Sequence, residues 1–198
     1  TPIATDRWAG EQLLDIGYTR IDSCYQGRRP GHIGSNEGPM CIKYYLDQGA
    51  TLVGYRGWAR GDLGWEYPLY DLTHVPLLDN GWKLPVVFSI VCHTGNFGND
   101  ETDCFGEVWM KTGTPEEPRG AVGFVGTAEW WSHSRWNDRM AIGIWEAFCF
   151  KGMRRLGDLV ADSKMTMLEH FPDEMYMDDP VITLDETWGI GAGINVTR

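Results

Sequence analysis

The run Pro85-Val86-Val87-Phe88-Ser89-Ile90-Val91 constrains this chain more than any other stretch. It is short, apolar and rich in β-branched residues, the pattern of a strand covered on both faces. Two more runs share that character, Ala50-Thr51-Leu52-Val53-Gly54-Tyr55 and Ala121-Val122-Gly123-Phe124-Val125-Gly126. Helical patterns lie between and after them. Pro39 suits a first helical turn, Ile42, Tyr45 and Leu46 give one apolar face, and Gly49 is placed to stop the helix. Phe105 to Lys111 reads as a short helix capped by Asp103 or Thr102. Arg135 to Phe150 and Gly157 to His170 carry core stripes at helical spacing. Strands alternating with helices predict an α/β fold, a mostly parallel sheet with helices on both faces.

The remaining segments are weaker. Glu11 to Ile16 predicts a short helix, Thr19 to Tyr25 a strand, and Val181 to Leu184 a last strand. Residues 59 to 84 read as one long aromatic loop punctuated by glycine and proline, and a loop of that length is usually functional. The division expected is a loop-rich N-terminal part over 1–37, the main domain over 38–184, and a linker or the start of a following domain over 185–198.

The first run ends in Cys92, followed by the polar loop His93-Thr94-Gly95-Asn96-Phe97-Gly98-Asn99-Asp100. A thiol at the carboxyl end of a buried parallel strand stands where open α/β sheets place their sites. The run ending at Tyr55 leads into Arg56-Gly57-Trp58-Ala59-Arg60-Gly61. If those two strands are neighbours, Trp58 and Cys92 share one edge. A thiol nucleophile needs a base to take its proton, and a histidine near position 58 would supply it.

A net charge of −11 argues against nucleic acid as a partner. No stretch is long and apolar enough to span a bilayer. The five cysteines, Cys24, Cys41, Cys92, Cys104 and Cys149, form no CxxC pair, so no zinc site is expected. Two disulfides with one thiol, or five thiols, both fit. Cys149 is expected as a small hydrophobe in a buried helix. The acidic clusters at 99–103 and 173–179 lack EF-hand spacing. Asn195-Val196-Thr197 is a sequon with meaning only in a glycosylating context.

Four blocks, in order, resemble the catalytic domain of gingipain-type cysteine peptidases, which have a caspase-like fold. Leu52-Val53-Gly54-Tyr55-Arg56-Gly57 resembles the strand leading into that family's Gly-His-Gly turn, with Trp65 where a tryptophan follows it. Pro85 to Cys92 with Thr94-Gly95-Asn96-Phe97 resembles the nucleophile strand and elbow. Cys104 to Trp109 with Gly120 to Thr127 resembles the next helix and strand, and Met177 to Leu184 the closing Gly-Asp-Pro segment, with Asp178 in place of the glycine. The resemblance implies that Cys92 is the nucleophile position, that Trp58 stands in place of the base histidine, and that the Ala59 backbone N–H is an oxyanion-hole position. Indole donates only and cannot accept a thiol proton, and it is bulky enough to fill the groove for a substrate backbone.

The reading that results is a gingipain-like domain with peptidase activity lost or severely weakened, serving as a peptide-binding or structural and assembly module outside the cell or on its surface. The alternative is an active secreted cysteine endopeptidase with a relocated histidine. His93 would need a sharp turn to reach Cys92; His32, His74 and His133 lie in expected loops, and His170 suits a helix C-terminus. A scaffold is expected to bury Trp58 over Cys92 and to expose aromatics around Trp58, Trp65, Tyr67, Tyr70, Trp130 and Trp131 as an interface. Expected partners are peptides or proteins, other domains of a longer polypeptide, or further copies of the chain. No cofactor is required; the resemblance permits calcium without assigning it a residue.

Overall fold

The structure, a computed structural model, describes residues 2–98, 103–128, 133–172 and 194–195. The chain opens with α1 (Pro2–Asp15) and α2 (Gly38–Gln48), then β1 (Leu52–Tyr55). A hairpin of β2 (Gly64–Glu66) and β3 (Leu69–Asp71) precedes β4 (Val86–Ser89). There follow α3 (Phe105–Lys111), β5 (Gly123–Gly126), α4 (Ser134–Cys149), α5 (Leu156–His170) and β6 (Ile194–Asn195). Among the described residues the main sheet runs β1-β4-β5-β6, with β1, β4 and β5 parallel and β6 antiparallel to β5.

Alternation along the central strands divides the core into two layers. Phe88 and Val125 point to one face, where α1, α4 and α5 cover them with Leu13, Met140, Ile144, Trp145 and Val160. Val87 and Phe124 point to the other, against Leu46 of α2, Trp109 of α3 and Tyr70 of the hairpin. Both faces of each strand are therefore buried, which is why these strands read as continuous apolar runs instead of alternating ones. Cys24 and Cys41 form a disulfide that ties the segment before α2 to its first turn; Cys92, Cys104 and Cys149 are thiols.

Several expectations change. The short helix at 11–16 starts instead at Pro2, because Thr5, Ala9 and Leu13 give it a buried stripe. The expected strand at Thr19–Tyr25 does not form. The long loop contains the β2–β3 hairpin, whose turn passes through a cis Tyr67–Pro68 bond. α3 is capped at Cys104, with its backbone N–H on Glu107 Oε2 at 3.1 Å, and not at Asp103 or Thr102. The expected strand at 181–184 lies outside the described residues. Within the expected tail over 185–198, Ile194–Asn195 pairs with Phe124 and Val125.

Candidate active site

Tyr55 of β1 is in register with Ser89 of β4, so the segments after both strands leave from one sheet edge. The strand before Cys92 ends at Ser89, two residues before the end of its apolar run at Val91. Ile90 still bonds to Tyr55 (2.9 Å) before the chain turns. The turn is sharp: His93 adopts φ 63° with its ring buried. A left-handed non-glycine residue persists only where its surroundings over-determine it. Here Thr127 does so, accepting from His93 N–H at 2.9 Å and donating to Val91 C=O at 2.5 Å, while its own C=O takes Gly95 N–H at 2.8 Å. Gly126 must be glycine, since a Cβ there would stand 2.7 Å from Phe124 and 3.0 Å from Thr94 Oγ1. Cys92 is left half-buried on this turn.

The Trp58 loop is fixed to the same edge by aromatic side chains. Trp65 donates Nε1–H to Ser89 Oγ at 2.8 Å, and Ser89 Oγ lies 2.8 Å from Thr94 Oγ1 inside the Cys92 turn. The Trp65 ring stacks on Tyr55 at 4.4 Å, and the Tyr55 hydroxyl donates to Trp58 C=O at 2.7 Å. Burial pushes the Tyr55 phenol far above its ordinary range, so it stays a donor. Glu66 N–H also reaches Trp58 C=O (2.9 Å), and Arg60 N–H reaches Gly64 C=O (2.8 Å). This pairing makes the Ala59–Trp65 bridge while leaving the Ala59 N–H without a hydrogen bond among the described residues. Below the loop, Arg56 is buried and binds Asp138 (2.8 Å) and Ser134 C=O (2.9 Å), which clamps the end of β1 to α4.

Trp58 itself is 69% exposed, so it does not bury itself over Cys92 as a scaffold role predicted. Trp65 and Tyr70, expected on an exposed interface, are core residues packed on each other and on Trp109. Tyr67 is exposed as expected, and Trp130 and Trp131 lie outside the described residues. The other histidines are engaged at separate places. His74 pairs with Asp71, His133 caps α4, His170 packs on Phe171, and His32 packs near Tyr25. His93 Nε2 lies 2.7 Å from Asn96 Nδ2. Burial pushes the Cys104 thiol up to about 11, and that of Cys149 upward as well. Among the described residues, no three His, Cys, Asp or Glu side chains converge as metal ligands. No helix among them is long and apolar enough to cross a membrane.

The supporting residues Arg56, Ser89 and Thr127 escape sequence reasoning. The one signal available is a charged or hydroxyl side chain at the end of an otherwise apolar run, and the sequence does not say what it meets.

A parallel sheet carrying a thiol turn and a fixed aromatic loop at one carboxyl edge defines the frame of a cysteine peptidase-type α/β domain. Comparison with known proteins gives the family: residues 19–184 match peptidase family C25, and the chain belongs to it. It is 28% identical over 162 residues to gingipain R2 and to gingipain R1 of Porphyromonas gingivalis. Those alignments cover 80% of this chain but 21% and 15% of the relatives, so the chain spans about a fifth of their length or less. The crystal structure of the Arg-specific cysteine proteinase gingipain R superimposes with a TM-score of 0.75 at 25% identity, covering 86% of this chain and 38% of that one. A complex of the pro- and mature domains of the same proteinase gives 0.74. The fold is thus caspase-like α/β, as the resemblance implied.

Proposed function

We propose that this chain is a gingipain-like peptidase domain whose peptide-bond hydrolysis is lost or severely weakened, and that it acts outside the cell as a peptide-binding or assembly module within a longer polypeptide. One observation carries the reading: position 58, at the sheet edge that bears Cys92, holds an indole. Cysteine peptidase chemistry needs a group that removes the thiol proton and returns it to the leaving amine. Indole N–H is a donor with no lone pair to offer, so general acid–base help worth roughly 10²–10⁴-fold is missing. The parts that remain fit binding. The Ala59 N–H is unengaged among the described residues, the thiol is reachable, and the exposed Trp58 offers a large apolar face. The Cys24–Cys41 disulfide suits an oxidising compartment. Calcium enters no step of this reading.

One feature favours the alternative, an active endopeptidase with a relocated base. The chain makes the sharp turn at His93 that such a base requires, and Asn96 orients the ring. Iodoacetamide labelling of Cys92 across pH separates the two, beside Cys92→Ala and Trp58→His variants. Slow labelling that Trp58→His accelerates supports the inactive module. Fast labelling below about pH 8 in the parent, abolished by His93→Gln, means a working base and overturns it.

A further inference from the structure

The Cys24–Cys41 disulfide closes a loop whose tip carries two adjacent, unpaired arginines. The bridge joins residues 17 apart in sequence. Inside it, Gln26-Gly27-Arg28-Arg29-Pro30-Gly31-His32 projects from a short base. Ile33 N–H on Tyr25 C=O (2.9 Å) and Gly27 N–H on Ile33 C=O (3.2 Å) hold that base, with the His32 ring packed near Tyr25. Across the tip runs one backbone bond, from His32 N–H to Arg29 C=O at 3.0 Å. Gly31 turns the chain at φ 81°, a conformation that favours glycine. Arg28 and Arg29 are exposed, and neither side chain meets an acceptor among the described residues. The Arg28 C=O and the Arg29 N–H, the two polar groups of the peptide bond between them, make no backbone hydrogen bond there either. The nearest carboxylates in sequence are engaged: Asp22 pairs with Arg20, and Glu37 accepts from Gly34 N–H. Arg60, Lys111, Arg119 and Lys151 differ, since each sits on a carboxylate.

An endopeptidase takes its substrate as an extended strand, with the side chain before the scissile bond in a pocket. A folded segment is cut as readily as its backbone leaves its native bonds. At this tip few bonds have to break, and exposed tips with small and polar residues are where nicking concentrates. Pro30 selects the bond. It follows Arg29, and a proline after a scissile bond has no N–H and a fixed φ, which makes the Arg29–Pro30 bond a poor substrate. The Arg28–Arg29 bond carries an ordinary N–H. We infer that this loop is a processing site for an endopeptidase that cuts after arginine, and that the bond cut is Arg28–Arg29. Water gives a hydroxyl to the Arg28 carbonyl carbon and a proton to the Arg29 nitrogen as the C–N bond breaks. The bridge sets the consequence. Cys24 precedes the cut and Cys41 follows it, so residues 1–28 and 29–198 stay joined through sulfur. The first piece carries α1, which packs Ala9 and Leu13 into the core and sets Trp8 against Phe150. The product is a two-chain domain that keeps α1 covalently while oxidised and by packing alone once reduced.

Limited digestion of the folded chain with trypsin, which cuts after arginine and lysine, tests the site. The first cut is expected after Arg28, placed by mass spectrometry. Without reductant the product should run as one species near its full mass. With reductant it should separate into residues 1–28 and 29–198. Arg28→Gln should slow the loss of intact chain by about 10-fold or more, because the cut beside Pro30 is disfavoured. A chain that trypsin leaves whole, or cuts first elsewhere, overturns the inference, and so does an Arg28→Gln chain cut as fast as the parent. Pieces that part without reductant overturn the tethered product. The polypeptide isolated from its source is expected to show the same split, on reducing gels only; an uncut chain there overturns the processing role. Cys92 plays no part in this readout, so its failure and that of the inactive-site reading are told apart.

Discussion

Replacing Thr127 with valine should destabilise the Cys92 turn out of proportion to the size of the change. Valine keeps the shape of threonine and removes one hydroxyl. That hydroxyl is fully buried and serves two backbone groups at once, His93 N–H at 2.9 Å and Val91 C=O at 2.5 Å. Water cannot replace it at a buried site, and each buried polar group deprived of its partner costs about 1–3 kcal/mol. Val91 C=O retains a long contact from Thr94 Oγ1 at 3.5 Å, which offsets little. The expected loss is therefore about 2–5 kcal/mol. Thr127→Ser is the control, since it keeps the hydroxyl and gives up one methyl, worth about 1 kcal/mol. For a chain of this size each kcal/mol shifts Tm by roughly 2–4 °C. Thr127→Val should then melt at least about 4 °C below wild type, and Thr127→Ser within about 4 °C. Urea unfolding gives the free energies, and the iodoacetamide rate at Cys92 reports whether the turn has opened. If the valine and serine variants unfold within about 0.5 kcal/mol of each other, the hydroxyl is not what holds His93 in its left-handed conformation.

Other consequences follow from the same geometry. Trp58→Ala should change stability by no more than about 0.5 kcal/mol in a denaturation series, because the side chain is 69% exposed; a larger loss would mean that Trp58 packs against the site. Asp6 sits near Arg56 with its carboxyl pushed up to about 8 by burial, with Asp138 adding to the rise and Arg56 opposing it. The folded state then holds a proton that the unfolded state has released, so stability falls as pH rises from about 4 to 8. Asp6→Asn should match the parent at pH 4 and gain on it towards pH 8, by at most about 1.4 kcal/mol per pH unit; parallel pH–stability curves would refute this. Replacing Cys24 and Cys41 together with serine should cost about 3 kcal/mol, the loop-closure value for a cross-link of this span. A Tm unmoved by reductant would show that the bridge contributes nothing.

β4 and β5 were legible in the sequence because burial on both faces writes itself as an unbroken apolar run, at 85–91 and 121–126. β1 falls within the run at 50–55, although only Tyr55 of its residues is fully buried and Gly54 is exposed. α3 was placed correctly but with its cap one or two residues early, and the helices α2, α4 and α5 were legible from a single apolar stripe at 3.6-residue spacing. The hairpin was not. Its strands have three residues each, too few for a period to show, and their tryptophan and tyrosine sit among glycines and prolines that read as loop. That also explains the misplacement of Trp65 and Tyr70. An aromatic residue in a loop-like stretch carries no sign of whether it faces water or a neighbouring ring, and here both face the core through Tyr55 and Trp109.

Position 58 is informative because the surrounding frame is intact. The stacked Tyr55–Trp65 pair and the bond from Tyr55 to Trp58 C=O fix where the side chain of residue 58 begins, while Ser89, Thr94 and Thr127 fix the turn bearing Cys92. None of these contacts uses the indole. On the proposed reading, a module that binds an extended chain at this edge needs both loops held in place. Trp58→His would then insert an imidazole on a backbone already held in place, with Arg56 clamping the strand beneath it. If the frame is what it was for catalysis, that one substitution should speed Cys92 alkylation at pH 7 by about 10-fold or more, since a neighbouring imidazolium lowers a thiol pKa by more than one unit. A Trp58→His protein that folds and labels no faster than wild type would mean that the two loops are held apart, and that the frame serves binding alone.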